Sequence, residues 1–133
     1  MMVGMEKDFF EWHAIKQDIQ SFNQRWFYHE REVRWCSIGL NVGFETDGKG
    51  ENYRRPVLIV RGFSKETCLC APLTTKEKFG IYYHPLDLQD GVLRNVMLSQ
   101  IRCIDTKRLR ESIGVVDEEQ FRKIKQALID IIQ

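Results

Sequence analysis

Apolar side chains at helical spacing mark the N-terminal part of the chain. They recur every three or four residues, as one face of a helix requires, at Trp12, Ile15, Ile19 and Phe22. Asp8, followed three residues later by Glu11, resembles an N-terminal capping box. The pattern predicts a helix over about residues 9–22, followed by an aromatic linker over residues 23–30.

A second amphipathic helix is predicted over residues 117–133. Asp117 and Gln120 form a capping pattern, and Glu118 and Glu119 fall in the first turn, where the helix dipole favours acids. The apolar stripe that would face a core consists of Phe121, Ile124, Leu128 and Ile131.

The residues between these helices show the sequence pattern of strands. From Glu32 onward, Val33, Trp35 and Ser37 alternate with Arg34, Cys36 and Ile38, and a loop rich in Gly and Asn follows over residues 39–54. Further strands are expected at residues 56–60, 67–73, 81–84 and 91–98. Lys65-Glu66 joins the first two of these as a hairpin. The chain is therefore predicted to be mainly β with flanking helices, in a small barrel or rolled sheet.

Composition and charge narrow the choice of partner. The 133 residues suit one domain, and no apolar run is long enough to span a membrane or to act as a secretion signal. Residues 33–116 carry thirteen bases and nine acids, whereas both flanking segments are net negative. A polyanion would therefore bind to residues in the middle of the chain.

The cysteine pattern gives little support for a metal site. The four cysteines contain no CxxC pair and only three histidines accompany them, so no metal and no other cofactor are expected. The cysteines are interpreted as reduced thiols that act as small apolar fillers in a cytoplasmic protein.

Three motifs in the central region resemble those of one protein family. The stretches GLNVGFETDGKGENYRRPVLIV, APLTTK and VMLSQIRCIDTKRL occur in this order, and an amphipathic helix closes the chain. Together they resemble the MazF/PemK toxins of type II toxin–antitoxin systems. The resemblance covers residues 31–133, which we expect to form the barrel domain, and leaves residues 1–30 as an N-terminal helical extension.

The resemblance implies a fold and an activity. The fold would be a small SH3-like β-barrel that works as a homodimer in the cytoplasm and has no contact with a membrane. The activity would be metal-independent endoribonuclease cleavage of single-stranded mRNA, leaving 2′,3′-cyclic phosphate and 5′-hydroxyl ends. The implied protein partner is a cognate antitoxin whose disordered tail lies across the RNA groove.

The family motifs also imply catalytic residues. Arg55 matches the family's catalytic Arg, whose guanidinium suits the charge that builds on a phosphate. Thr74 matches the catalytic Thr, whose hydroxyl would hold a phosphate oxygen or orient the 2′-hydroxyl. Ser99 occupies the third catalytic position, just before Gln100, where several family members carry an acid.

The sequence departs from the family at the proton acceptor. Ser99 cannot serve as a carboxylate base, and Phe44 stands where some members have His. Glu45 and His84 are the alternatives, and His84 has the more suitable intrinsic pKa. Both departures leave room for altered sequence preference or weakened activity.

Several further residues are candidates for contact with RNA. Basic groups would bind phosphates, a tyrosine would stack on a base, and polar groups would bind base edges. The candidates are Glu45, Lys49, Tyr53, Arg54, Thr75, Lys76, His84 and Gln100.

Two functional alternatives and the role of the N-terminal extension remain open at this point. The same fold can serve as a non-catalytic RNA- or protein-binding module, or inhibit DNA gyrase, as the related CcdB family does. The chain end Asp-Ile-Ile-Gln lacks the terminal aromatic that CcdB proteins commonly carry.

The N-terminal extension is expected to pack on the barrel or on a partner subunit, or to mask the RNA groove. Cleavage unchanged by deletion of residues 1–30 would reject masking.

Overall fold

The computed structural model describes residues 7–133, apart from the side chain of Glu51. The first six residues of the predicted extension, and the expected absence of a secretion signal there, lie outside the described residues. Two α-helices and seven strands follow in the order α1 Phe9–Gln20, β1 Glu32–Ser37, β2 Arg54–Gly62, β3 Thr67–Thr74, β4 Tyr83–Asp87, β5 Leu93–Met97, β6 Arg102–Asp105, β7 Leu109–Val115 and α2 Glu118–Ile132. Short 3-10 turns precede β2, β6 and β7.

All strand pairs of the sheet are antiparallel. The order is β4-β5-β3-β2-β1-β7, and β6 pairs with the first half of β3. The predicted mainly β fold with flanking helices is confirmed, while the ladder of hydrogen bonds does not close into a ring: β4 and β7 stand at its two ends.

Two apolar clusters fill the molecule. The larger joins the sheet to α2 through side chains such as Leu58, Val96 and Ile124. The smaller contains Val57, Ile59 and neighbours from β1, β3, β6 and β7. Alternate residues of β2 therefore belong to different clusters, as a strand buried on both faces requires.

Both predicted helices are present, and their N-caps are confirmed. The Asp8 carboxylate accepts the amide N–H of Glu11 at 2.9 Å, and that of Asp117 accepts the N–H of Gln120 at 2.9 Å. The predicted end of α1 at Phe22 was two residues too late. Phe22 instead places its ring under the Arg110 guanidinium, 4.7 Å from the ring centroid.

Two strands near the C-terminus were not predicted individually. β6 has four residues, of which Arg102 and Asp105 are charged, so it shows no apolar alternation. β7 runs along one end of the sheet and carries mainly exposed or half-buried side chains. Pairing with β3 and β1, rather than local pattern, fixes these strands.

Three of the four cysteines act as predicted. Cys36, Cys68 and Cys70 are buried free thiols in the smaller cluster, where burial raises the pKa of Cys36 and of Cys68 to about 12. Cys103 is exposed, so its interpretation as a core filler was wrong. The reason is strand alternation, since its neighbour Ile104 takes the inward position on β6.

The packing of α2 on the sheet gives a stability prediction. Ile124 is fully buried between them, so Ile124→Ala should lower the free energy of unfolding by about 2–5 kcal/mol. The matched control is Ile129→Ala on the same helix, where the side chain is 48% exposed. Urea unfolding followed by circular dichroism measures both variants; equal losses would contradict the assigned packing.

Candidate nucleic-acid interface and active site

A basic cleft of about 350 Å³ lies where β2 begins and β3 ends. It is hereafter called the basic cleft, and its lining consists of Trp35, Lys49, Gly50, Arg54, Arg55, Pro56, Leu73, Thr74, Thr75, Lys76 and Arg94. Six of the sequence-predicted site residues therefore share one cleft: Lys49, Arg54, Arg55, Thr74, Thr75 and Lys76.

The β2–β3 hairpin brings the two principal candidates together. Val57 pairs with Pro72, and continuing this antiparallel register by two residues sets Arg55 opposite Thr74. Residues directly opposite each other lie on the same face of a sheet. Residues nineteen positions apart in the chain are thus neighbours at one end of the hairpin.

The Arg55 guanidinium is anchored by main-chain carbonyls. Its Nε donates to the carbonyl of Asp47 at 2.7 Å, and its Nη1 donates to the carbonyl of Leu73 at 3.1 Å. Burial lowers the pKa of Arg55, and the nearby Asp47 carboxylate opposes that shift. An arginine keeps its charge at neutral pH and has five N–H donors, so the anchored side chain retains donors for a ligand.

The Thr74 hydroxyl is oriented at the last residue of β3. Its Oγ1 accepts the N–H of Lys76 at 3.2 Å, which directs the hydroxyl proton elsewhere. On the other side, Thr74 pairs with Asn95 of β5, whose Nδ2 donates to the carbonyl of Lys76 at 3.1 Å. Two strands therefore fix the turn that carries Thr74, Thr75 and Lys76.

Positive charge dominates the basic cleft. Two of its bases are paired, Arg54 with Glu111 at 3.4 Å and Arg94 with Asp90 at 2.9 Å. Lys49, Arg55 and Lys76 make no ion pair with any side chain that the structure describes. Of the lining side chains, none is a carboxylate or an imidazole. An anionic ligand fits this charge pattern.

A second cleft lies beside the loop between β1 and β2, residues 38–53, hereafter the β1–β2 loop. Its volume is about 510 Å³, and it holds the predicted residues Glu45, Ser99 and Gln100. The Gln100 side chain accepts the N–H of Thr46 at 3.2 Å, so it braces the β1–β2 loop. Ser99 and Arg55 do not line a common cleft.

Two predicted residues lie outside both clefts. His84 is on β4 opposite Val96, and its Nδ1 lies 2.8 Å from the carbonyl oxygen of Pro85. The Tyr53 hydroxyl donates to the Glu11 carboxylate of α1 at 2.7 Å. The assignments of both residues as RNA contacts stay predictions. In the structure, the polar atom of each side chain contacts another group of the protein instead.

Comparison with known families assigns the chain to a family. Residues 31–132 match the family model of the PemK-like, MazF-like toxins of type II toxin–antitoxin systems. The chain belongs to this toxin family. A search of curated protein sequences gave no match.

Solved structures agree on the fold of the toxin. MazF from Deinococcus radiodurans is 19% identical, with a TM-score of 0.62 over 80% of this chain and 97% of that one. The Mycobacterium tuberculosis toxin MazF-mt6 is 18% identical, with a TM-score of 0.59 over 77% and 96% of the two chains. An endoribonuclease in complex with its cognate antitoxin from a mycobacterial species is 19% identical, with a TM-score of 0.60 over 80% of this chain and 95% of that one.

Sequence reasoning missed three residues of the candidate site. Trp35 is the exposed residue of β1 and lies opposite Pro56 in the basic cleft, a position that only strand pairing reveals. Arg94 lines the basic cleft from β5. The one sequence feature that could have pointed to it is a charged residue within an apolar strand. Asp47 contributes its main-chain carbonyl to Arg55, and a carbonyl has no sequence signal.

The Tyr53–Glu11 contact makes a titration prediction. The hydrogen bond to the Glu11 carboxylate, together with desolvation, raises the pKa of Tyr53 to about 12. Because the folded pKa exceeds the unfolded one, the contact stabilises the fold below about pH 10 and is lost as the pH rises further. The difference in tyrosinate absorbance between wild type and Tyr53→Phe should titrate near that raised value.

Glu11→Gln supplies the matched test of cause. It removes the negative charge but keeps an acceptor, so the Tyr53 pKa should fall toward its ordinary value. Glu119→Gln, on the distant α2, should leave it raised. If Tyr53 titrates at its ordinary pKa in wild type, Glu11→Gln and Glu119→Gln alike, the contact with α1 does not form in solution.

Proposed function

We propose that this toxin is a metal-independent endoribonuclease that cleaves single-stranded mRNA in the basic cleft. The observation that carries the proposal is the placement of the Arg55 guanidinium and the Thr74 hydroxyl in one positively charged cleft. Attack of a 2′-hydroxyl on its own phosphate would give a 2′,3′-cyclic phosphate and a 5′-hydroxyl.

Arg55 supplies the charge stabilisation that this reaction needs. Negative charge builds on the phosphate oxygens as the 2′-oxygen attacks, and a pre-oriented guanidinium stabilises it without reorganising. The anchoring of Nε and Nη1 on two carbonyls fixes the plane of the guanidinium. Its remaining donors face a ligand in a half-buried setting, where charge–charge attraction is stronger than in water.

Thr74 orients the reacting groups. With its oxygen held by the N–H of Lys76, the hydroxyl donates its proton to a phosphate oxygen. The proton acceptor for the 2′-hydroxyl stays a prediction, with Glu45 and His84 as the candidates. The Glu45 carboxylate accepts the N–H of Val42 at 2.9 Å and is otherwise exposed.

The rest of the basic cleft suits a single-stranded chain. Lys49 and Lys76 offer charges for flanking phosphates, and the half-exposed indole of Trp35 offers a face on which a base can stack. Stacking on an aromatic ring is available to every base, whereas a duplex keeps its bases inside the helix.

The direct test is cleavage of a long single-stranded RNA in EDTA. Arg55→Ala and Thr74→Ala should each lower the rate by about 100-fold or more, as expected when a donor to a developing oxyanion is lost. The matched controls are Arg61→Ala and Thr67→Ala, at the opposite ends of the same two strands. If folded wild type binds RNA but cuts none, the toxin is a binding module on this fold.

We further propose that the toxin acts in the cytoplasm as a homodimer and binds a cognate antitoxin. The mycobacterial neighbour was solved with its cognate antitoxin, and relatedness of fold supports a similar partner here. In residues 7–133, no helix is long and apolar enough to cross a membrane.

Light scattering on purified toxin tests the oligomeric state. The expected molar mass is twice that of the monomer, and a monomeric mass at micromolar concentration would contradict the homodimer. Adding the antitoxin should shift the mass and block cleavage if its tail occupies the basic cleft; a mixture with unchanged mass and cleavage would contradict this partnership.

A further inference from the structure

The helix α1 packs on the two ends of the β1–β2 loop. The Trp12 indole is 5% exposed and lies so close to Gly39 that a Cβ there would be 2.1 Å from the ring. It also meets the Tyr53 ring edge-on, at 5.9 Å between centroids. Because the Gly39 N–H donates to the Tyr53 carbonyl at 3.1 Å, Trp12 covers the point where the loop closes.

Polar contacts extend this packing to the middle of the loop. The Lys7 ammonium lies 2.9 Å from the Asp47 carboxylate and donates to the carbonyls of Asn41 and Gly43, the latter at 3.2 Å. Both members of the ion pair are about three-quarters buried, with 23% and 24% of their side chains exposed. Solvent therefore screens the pair less than it would a fully exposed one.

Asp47 connects these contacts to the basic cleft. Its carboxylate faces Lys7, and its main-chain carbonyl accepts Arg55 Nε at 2.7 Å. One residue thus contacts the N-terminal segment through its side chain and the candidate catalytic arginine through its backbone. A shift of the loop at Asp47 would turn the guanidinium plane.

The β1–β2 loop needs such external support. Val42 and Phe44 at its tip are largely exposed, so the loop buries little apolar surface of its own. Fixing the backbone of each loop residue costs about 1–2 kcal/mol of conformational entropy. Gln100 holds the loop from one side, and residues 7–12 hold it from the other.

We infer that the N-terminal segment positions Arg55 by holding the β1–β2 loop, with Lys7 and Trp12 as positioning residues. The inference rests on the proposed function, since it concerns the orientation of Arg55 toward the RNA phosphate. The alternative of masking has less support, because no lining side chain of the basic cleft comes from residues 7–30.

Cleavage kinetics of full-length variants test the inference. Lys7→Ala and Trp12→Ala should lower kcat by about tenfold to 100-fold, the range expected when a reacting group is misplaced by about 1 Å, and leave KM within about twofold. Lys7→Arg should restore most of the rate, because it restores the ion pair. Lys16→Ala, an exposed lysine on the same helix, is the matched control.

A double-mutant cycle distinguishes positioning from a general loss of stability. Asp47→Asn removes the charge that Lys7 meets but keeps the carbonyl that accepts from Arg55. If the two act through one contact, Lys7→Ala should lower the rate much less in the Asp47→Asn background than in wild type. Independent, multiplying losses would overturn the link through Asp47.

Hydrogen–deuterium exchange provides a readout that does not depend on cleavage. Amides of residues 39–53 should exchange faster in Trp12→Ala, while those of β2 and β3 beyond the cleft keep their protection. Failure of wild type to cut RNA would reject the proposed function, and unchanged exchange of the loop would still overturn the inference. Wild-type rates in Lys7→Ala and Trp12→Ala would also overturn it, and faster cleavage would favour masking.

Discussion

The hydrogen bond from Arg55 Nε to the Asp47 carbonyl links the architecture of the chain to its candidate chemistry. A half-buried guanidinium must satisfy its donors, and here the β1–β2 loop and the end of β3 satisfy part of them with backbone carbonyls. Carbonyls neutralise no charge, so Arg55 keeps its positive charge for an anion. The orientation of that charge then depends on the conformation of a loop.

The sheet provides the other half of the arrangement. The antiparallel register of β2 and β3 puts Thr74 beside Arg55, and β5 supports the turn after Thr74 through Asn95. β2 and β3 are buried on both faces, in two apolar clusters, so their ends are held more rigidly than a loop would be. A rigid hairpin end and an externally held loop together form the basic cleft.

Features fixed by local chemistry were predictable from the sequence. Both helix caps depend on one side chain and an amide three residues later, and Lys65-Glu66 marks the hairpin that joins Arg55 to Thr74. The end of α1 was misplaced because an apolar Phe22 does not reveal that it pairs with a distant guanidinium. β6 and β7 escaped individual prediction because long-range pairing defines them.

The same distinction separates the predicted site from the observed one. Six candidate residues line the basic cleft because they flank one hairpin and one loop, which are close in sequence. His84 lies elsewhere because it is on β4, which stands at the end of the sheet and is separated from β3 by β5. Trp35 and Arg94 enter from β1 and β5, and only the strand order β5-β3-β2-β1 brings them to the cleft.

The chemistry of the RNA fragment ends is the most direct measurement on the central claim. Fragments made by the toxin in EDTA should accept a 5′-label from polynucleotide kinase without prior phosphatase treatment, and their 3′ ends should carry a cyclic phosphate that acid opens. That result is expected if the 2′-hydroxyl attacks the phosphate held by Arg55 and Thr74. Fragments with 5′-phosphates and free 3′-hydroxyls would instead require water as the nucleophile and would contradict the account.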